Sequence, residues 1–310
     1  MTDCAIRTEN LTRDFGTVRA VDRLALEVPK GMIFGFLGPN GAGKTTTIRL
    51  LLGLLEPSQG RAQVLGFDTQ QQADEIRART GALLEHPGLY ERLSGEDNLE
   101  FYGRIWHLIR PERQARIQEL LTHLGLWERR KETVGTWSRG MQQKLAIARA
   151  LLHRPSLIFL DEPTAGLDPI AAAALREDLA TLAAREGVTV FLTTHNLAEA
   201  EKLCQRVGVL RRGQLLAVGS PDELRVKQGA PRVEIFGRGF SENVLALLRV
   251  RSEVAGVEQQ DNRLLIELRG AVDTAPLVSL VVGAGAQVEE VRRGNANLEE
   301  VFLILMEEEK

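Results

Sequence analysis

Nine consecutive residues constrain this chain more than any others: Gly38, Pro39, Asn40, Gly41, Ala42, Gly43, Lys44, Thr45 and Thr46. They spell G-x-x-x-x-G-K-[ST] and stand between the apolar residues 32–37 and the helix-like residues 46–52. Such a loop works only between a buried strand and a helix N-terminus, where its N–H groups can converge on phosphate oxygens. The glycines permit the close wrap, and the positive end of the helix adds attraction. Lys44 supplies a mobile cation for the β- and γ-phosphates, and the Thr45 hydroxyl is placed to ligate Mg²⁺. A glycine-rich turn could match by accident, but not with this strand and helix around it. The loop predicts nucleotide binding.

Composition limits what such a protein can otherwise be. With 310 residues the chain has room for about two domains. Charged residues make up 26% and apolar ones 44%, as in an ordinary soluble protein. A net charge of −3 argues against a nucleic-acid partner. The basic clusters Arg129–Lys131 and Arg292–Arg293 are short and read as solvated faces. No apolar run approaches the ~18–20 residues that span a bilayer. The start, Met1 to Arg7, is polar where a signal peptide needs an apolar core. Cys4 and Cys204 have no pairing or metal-ligand spacing, so a reduced cytosolic compartment is expected.

Patterning divides the chain. Residues 1 to about 66 read as β-rich, with alternation over Asp22–Val28 and a turn at Pro29–Gly31. From about 72 to 152 the pattern is helical. Ile117, Leu120, Leu121 and Leu124 form one helix face. Leu157–Leu160 and Val188–Leu192 read as buried, parallel strands. Composition shifts around Lys227–Pro231, and residues 231–310 read as a small appended α+β domain. Two strand-like runs (Arg232–Phe236, Arg263–Leu268), a helix at Glu242–Leu248 and a final helix at Leu298–Met306 are expected there.

The first of those buried strands ends in two carboxylates, Asp161 and Glu162. Alternating side-chain direction lets adjacent acids do different work. Asp161 can hold Mg²⁺ through its water shell, and Glu162 can polarise water for attack on the γ-phosphate. Upstream, Ser138, Arg139, Gly140 and Met141 open a helical stretch running directly towards this strand, and Ala165–Pro169 follow it.

In this arrangement the chain resembles the ATP-binding cassette (ABC) ATPases, over about residues 5–225. The resemblance implies an α/β P-loop core, a RecA-like parallel sheet with a β-rich N-terminal subdomain and a helical subdomain at about 86–152. It places the ATPase domain at 1–228 and the accessory domain at 231–310. The signature loop, usually Leu-Ser-Gly-Gly-Gln, here keeps only Ser138 and Gly140, with Arg139 and Met141 as departures. One phosphate loop and one signature loop per chain imply a head-to-tail homodimer sandwiching two ATP molecules.

Further roles follow from the same resemblance. His195 matches the switch histidine at the γ-phosphate, and Asp168 the acid tying the two subunits together. Phe15, with Val18 beside it, stands where the family places an aromatic ring against adenine; an ordinary core phenylalanine is the other reading. Where the family usually has a glutamine reaching Mg²⁺, this chain has Glu85, which keeps the oxygen and adds charge. That change and the ending Asn297–Phe302 resemble the branch serving antibiotic and multidrug exporters. The implied function is an ATP-hydrolysing subunit, peripheral on the cytoplasmic membrane face, that energises a separate transmembrane permease. The alternative is a soluble ABC-type ATPase acting on ribosomes or DNA, but such proteins usually carry two cassettes or long coiled coils. A regulator without turnover is disfavoured by Glu162 and His195.

Overall fold

The chain divides between Ser220 and Pro221 into two units, each with its own core. The division falls before a helix that sequence patterning places with the ATPase. This computed structural model describes residues 4–228, 231–270, 272–295 and 298–307. Met1–Asp3, Gly229 and Ala230 of the linker, and Asn297 of the C-terminal motif lie outside the described residues.

The first unit opens with an antiparallel hairpin, β1 (Cys4–Phe15) and β2 (Val18–Pro29), turned through Gly16 and Thr17. Leu24, Leu26 and Val28 are buried while Ala25 and Glu27 are exposed, the alternation expected of a half-buried strand. The buried β3 (Ile33–Leu37) leads through the phosphate loop into α1 (Lys44–Leu51). Next come β4 (Gln59–Val64), β5 (Phe67–Asp68), α2 (Ala73–Arg79) and β6 (Thr80–Leu83). Within the stretch that patterning reads as helical lie α3 (Gly95–Ile105), α4 (Arg110–His123) and α5 (Arg139–Leu151). The α4 helix buries Ile117, Leu120 and Leu121, as its periodicity predicts. The chain returns through β7 (Leu157–Asp161), α6 (Pro169–Glu186), β8 (Thr189–Thr194), α7 (Leu197–Leu203), β9 (Arg206–Arg211) and β10 (Gln214–Gly219).

These strands make two sheets. The four-stranded one has the order β2-β1-β4-β5, and the six-stranded one the order β10-β9-β3-β8-β7-β6. In the latter β9, β3, β8, β7 and β6 run parallel, and β10 joins antiparallel at the edge. Every residue of β3, β7 and β8 is buried, which is why they read as continuous apolar runs. Phe191 sits among Phe34, Phe36 and Phe159 with ring centroids 5.6, 5.3 and 5.7 Å away. This aromatic cluster fixes the central strands whose C-terminal ends carry the acids and the histidine. Open parallel sheets bind ligands beyond those ends.

The second unit begins with α8 (Pro221–Gln228) and continues β11 (Pro231–Arg238), α9 (Glu242–Arg249), β12 (Val254–Gln260), β13 (Arg263–Leu268), α10 (Ala275–Gly283), β14 (Gln287–Asn295) and α11 (Leu298–Glu307). From β11 to β14 this is a βαββαβ unit with strand order β12-β13-β11-β14, all neighbours antiparallel. Val233, Ile235, Leu264 and Ile266 pack with Val244 and Leu277 to form its core. Sequence patterning finds the two central strands, β11 and β13, and misses the edges β12 and β14. Edge polarity is the reason: β12 carries Glu258, Gln259 and Gln260, and β14 carries Glu289, Glu290, Arg292 and Arg293.

Candidate active site

The turn of the phosphate loop gives way to helix at Gly43, which adopts φ 106°, a conformation that L side chains rarely adopt. A Cβ there would lie 2.2 Å from the Ala20 carbonyl oxygen, so the loop passes against the β2 backbone at a distance only glycine allows. Immediately after it α1 begins without a side-chain cap, leaving its first-turn N–H groups directed at the loop. Lys44 is 7% exposed; its Nζ donates to Gly38 O at 2.7 Å and Pro39 O at 3.2 Å. The same ammonium lies 3.1 Å from Glu162 Oε1. A cavity of about 210 Å³ lies here, lined by Ala20, Asn40, Gly41, Lys44, Thr46 and Glu162 among others.

Parallel pairing of β7 and β8 brings the acids alongside Thr193. Thr45 Oγ1 donates to Asp161 Oδ2 at 2.6 Å, joining the phosphate loop to the acidic strand. Asp161 Oδ1 accepts from Thr193 Oγ1. Glu162 takes φ 51°, left-handed for a residue that has a Cβ. Its N–H donates to both Thr193 O and Thr193 Oγ1 at 3.1 Å, which holds the carboxylate clear of the strand. Glu162 Oε2 accepts from His195 Nδ1 at 2.8 Å, because an ionised carboxylate can only accept. Sequence patterning assigns Thr193 no role of its own; its position two residues before the histidine is the signal that points to it.

Glu85 lines a second cavity, of about 690 Å³, together with Thr45, Asp161, Glu162 and Arg139. Its side chain is 70% exposed, with Oε2 4.0 Å from Arg49 Nη2. Phe15 pairs across the hairpin with Val18, and both are exposed. At 45% exposure Phe15 is not a core residue, and the Arg13 guanidinium lies 4.6 Å from its ring centroid.

Two more sequence-predicted residues serve as helix caps. Ser138 caps α5, its Oγ accepting from Met141 N–H at 3.3 Å, while Arg129 Nη1 reaches Met141 Sδ at 3.3 Å. A hydroxyl that accepts on its oxygen still has its O–H to donate. Gly140 follows within the first turn. Asp168 caps α6, with Oδ1 accepting from Ile170 and Ala171 N–H at 3.0 and 2.9 Å. Arg139 packs against the loop before that cap. A Cβ at Gly166 would meet its guanidinium at 2.4–2.9 Å.

The ABC transporter family model matches residues 21–165. The chain is similar to the daunorubicin resistance ATP-binding protein DrrA3 of Streptomyces coeruleorubidus, 38% identical over 98% of this chain and 96% of that protein. It is also similar to the bacitracin transport ATP-binding protein BcrA of Bacillus licheniformis, 36% identical over 97% of each chain. Among solved structures, an ATP-binding subunit of an ABC transporter superposes with a TM-score of 0.65 at 32% identity, covering 72% of this chain and 92% of that one.

Proposed function

The chain belongs to the ABC transporter family as an ATP-binding subunit, and from that premise we propose how its site turns ATP into motion. It is an ATPase that energises a membrane exporter. The observation that carries the reading is one meeting point of three strand ends. There Thr45 lies 2.6 Å from Asp161, Lys44 3.1 Å from Glu162, and His195 2.8 Å from Glu162.

The triphosphate occupies the loop Gly38–Thr46, and Lys44 turns from Glu162 towards the β- and γ-phosphates. That releases Glu162 Oε1 to polarise the attacking water, while His195 and Thr193 keep the carboxylate aimed. Phe15 and Val18 offer an exposed apolar platform for adenine. Thr45 and Asp161 fit Mg²⁺, since both are oxygen donors converging beside the loop, and Glu85 lines the adjoining cavity. When bound, the metal neutralises phosphate charge. Ser138 and Gly140 present a hydroxyl and a helix N-terminus to ATP on a second copy, with Arg139 and Met141 tuning that contact. Asp168 stands in the loop facing that copy. Dimer closure on ATP and opening after hydrolysis drive a separate permease.

No helix among the described residues is long and apolar enough to cross a membrane. We propose attachment to the cytoplasmic face through the permease. The relatives are named for daunorubicin resistance and bacitracin transport, so an antibiotic or drug-like cargo is proposed. A soluble role on ribosomes or DNA is not favoured, since those relatives match over nearly the whole chain.

Co-expression with the permease tests the reading. ATP-dependent drug efflux from cells should require both proteins and vanish with Glu162→Gln. Efflux that persists in that variant, or a purified complex that does not hydrolyse MgATP, would overturn it.

A further inference from the structure

We propose that Glu199 is a positioning residue that holds Glu162 and His195 in register by tying together the two loops that carry them. The proposal rests on the roles given above to those two side chains. Glu199 is 1% exposed, in the first turn of α7. Its Oε2 accepts from Thr164 Oγ1 at 2.8 Å and from Thr194 Oγ1 at 2.9 Å. Thr164 lies two residues beyond Glu162, and Thr194 immediately precedes His195. One carboxylate oxygen therefore fastens the end of β7 to the end of β8 behind the Glu162–His195 hydrogen bond.

Ordinary helix capping does not account for this. Asn196 caps α7, accepting from Glu199 N–H at 3.1 Å. A glutamate three residues after a cap commonly turns back to the cap's own N–H. Here Thr194 Oγ1 takes the Asn196 N–H at 3.0 Å, and the Glu199 side chain runs inward instead. Its other oxygen, Oε1, is buried without a hydrogen-bond partner among the described residues. Burying a side-chain oxygen without a partner is costly. The position beside a hydrolytic pair gives the cost a function, because a misplacement of about 1 Å can slow a reaction roughly a hundredfold.

The test uses the full-length protein and four measurements: ATP affinity, kcat, thermal midpoint, and a double-mutant cycle with His195→Ala. Glu199→Ala should lower kcat by about ten- to a hundredfold while ATP affinity changes less than about twofold. Glu199→Gln keeps an acceptor oxygen for both hydroxyls and should restore most of kcat. In the His195→Ala background Glu199→Ala should add little, since both changes disturb one unit. Thr164→Val removes one tie at constant volume and should give a smaller loss of kcat with the same pattern, which covers the case in which Glu199→Ala does not fold. Parallel loss of ATP affinity and kcat, multiplicative effects in the cycle, or an unchanged kcat would overturn the proposal. If Glu162→Gln and His195→Ala themselves leave kcat intact, the assigned chemistry fails rather than the tie.

Discussion

His195 Nδ1 stands 2.8 Å from Glu162 Oε2, joining the ends of two neighbouring parallel strands through their side chains. Glu162 holds a left-handed φ of 51° to make this contact, a strain of the order of 1 kcal/mol sustained by the Thr193 hydrogen bonds.

Glu162→Gln should bind MgATP normally and hydrolyse it about 10²- to 10⁴-fold more slowly, because an amide polarises water poorly while Asp161 is untouched. Without turnover the closed dimer should accumulate. Size exclusion with ATP checks this, and a monomer turning over at the normal rate contradicts both the base and the sandwich.

Lys44→Ala should weaken ATP binding by about ten- to a hundredfold, the worth of lost hydrogen bonds from a charged group. Lys44 is the buried cation in the loop, donating to Gly38 and Pro39 oxygens and facing Glu162. Equilibrium titration with a fluorescent nucleotide reads the change. An unaltered affinity would remove Lys44 from the site.

Acid should destabilise the first unit through His153. Burial, with a smaller contribution from Arg116, pushes its pKa down from 6.5 to about 4, against the hydrogen bond of Nε2 to Thr80 O. The ring stacks on Trp106 at 3.8 Å between centroids. Between those two pH values the unfolded chain binds the extra proton, so this contribution is full above pH 6.5 and is lost as pH falls towards 4. It amounts to at most about 3 kcal/mol. His153→Gln keeps a donor for Thr80 and should flatten that part of the stability–pH curve measured by denaturant unfolding. An unchanged slope would show that His153 takes up its proton alike in the folded and unfolded chain.

Legibility from sequence follows the range of the interactions. The phosphate loop is local, so Gly38–Thr46 can be read directly, and Asp161, Glu162 and His195 become readable once that loop sets the frame. Thr193 can be read only by its place two residues before His195, and Glu199 not at all. They act through β7–β8 adjacency, on partners 31–35 residues away in sequence or five residues back along the chain. Asp168 carries a second signal that patterning leaves out, since it caps α6, whereas Ser138 already reads as the start of a helix. In the second unit the central strands carry short, mostly apolar runs, Val233–Phe236 and Leu264–Ile266, that stand out in the sequence. The edge strands are diluted by charge, and α10 is so apolar, with Leu277, Val278, Leu280, Val281 and Val282, that no helical face stands out.

Residues 1–220 should fold and bind ATP alone. Every residue of the phosphate loop, the acidic strand and their shared core lies before Pro221, and the second unit has a separate core. Circular dichroism and nucleotide titration of that fragment check it. A folded fragment that fails to bind ATP would show that residues 221–310 complete the site.

Glu85 gives the sharpest test of the metal site. Its carboxylate lines the cavity that Thr45, Asp161 and Glu162 also line, and it is largely exposed, with Arg49 as a counter-charge at 4.0 Å. An ionised oxygen there should draw Mg²⁺ more strongly than a neutral amide, and should repel the triphosphate more when the metal is scarce. Glu85→Gln should therefore retain ATPase activity but require more Mg²⁺ for half-maximal rate. Glu85→Ala should require more still, because no oxygen replaces the one removed. Magnesium titrations of the three proteins, at fixed ATP, separate this from the other role the position allows, a loop acid that meets only the permease. In that case the three curves superimpose, and the deficit shows up instead in ATPase stimulation by the permease.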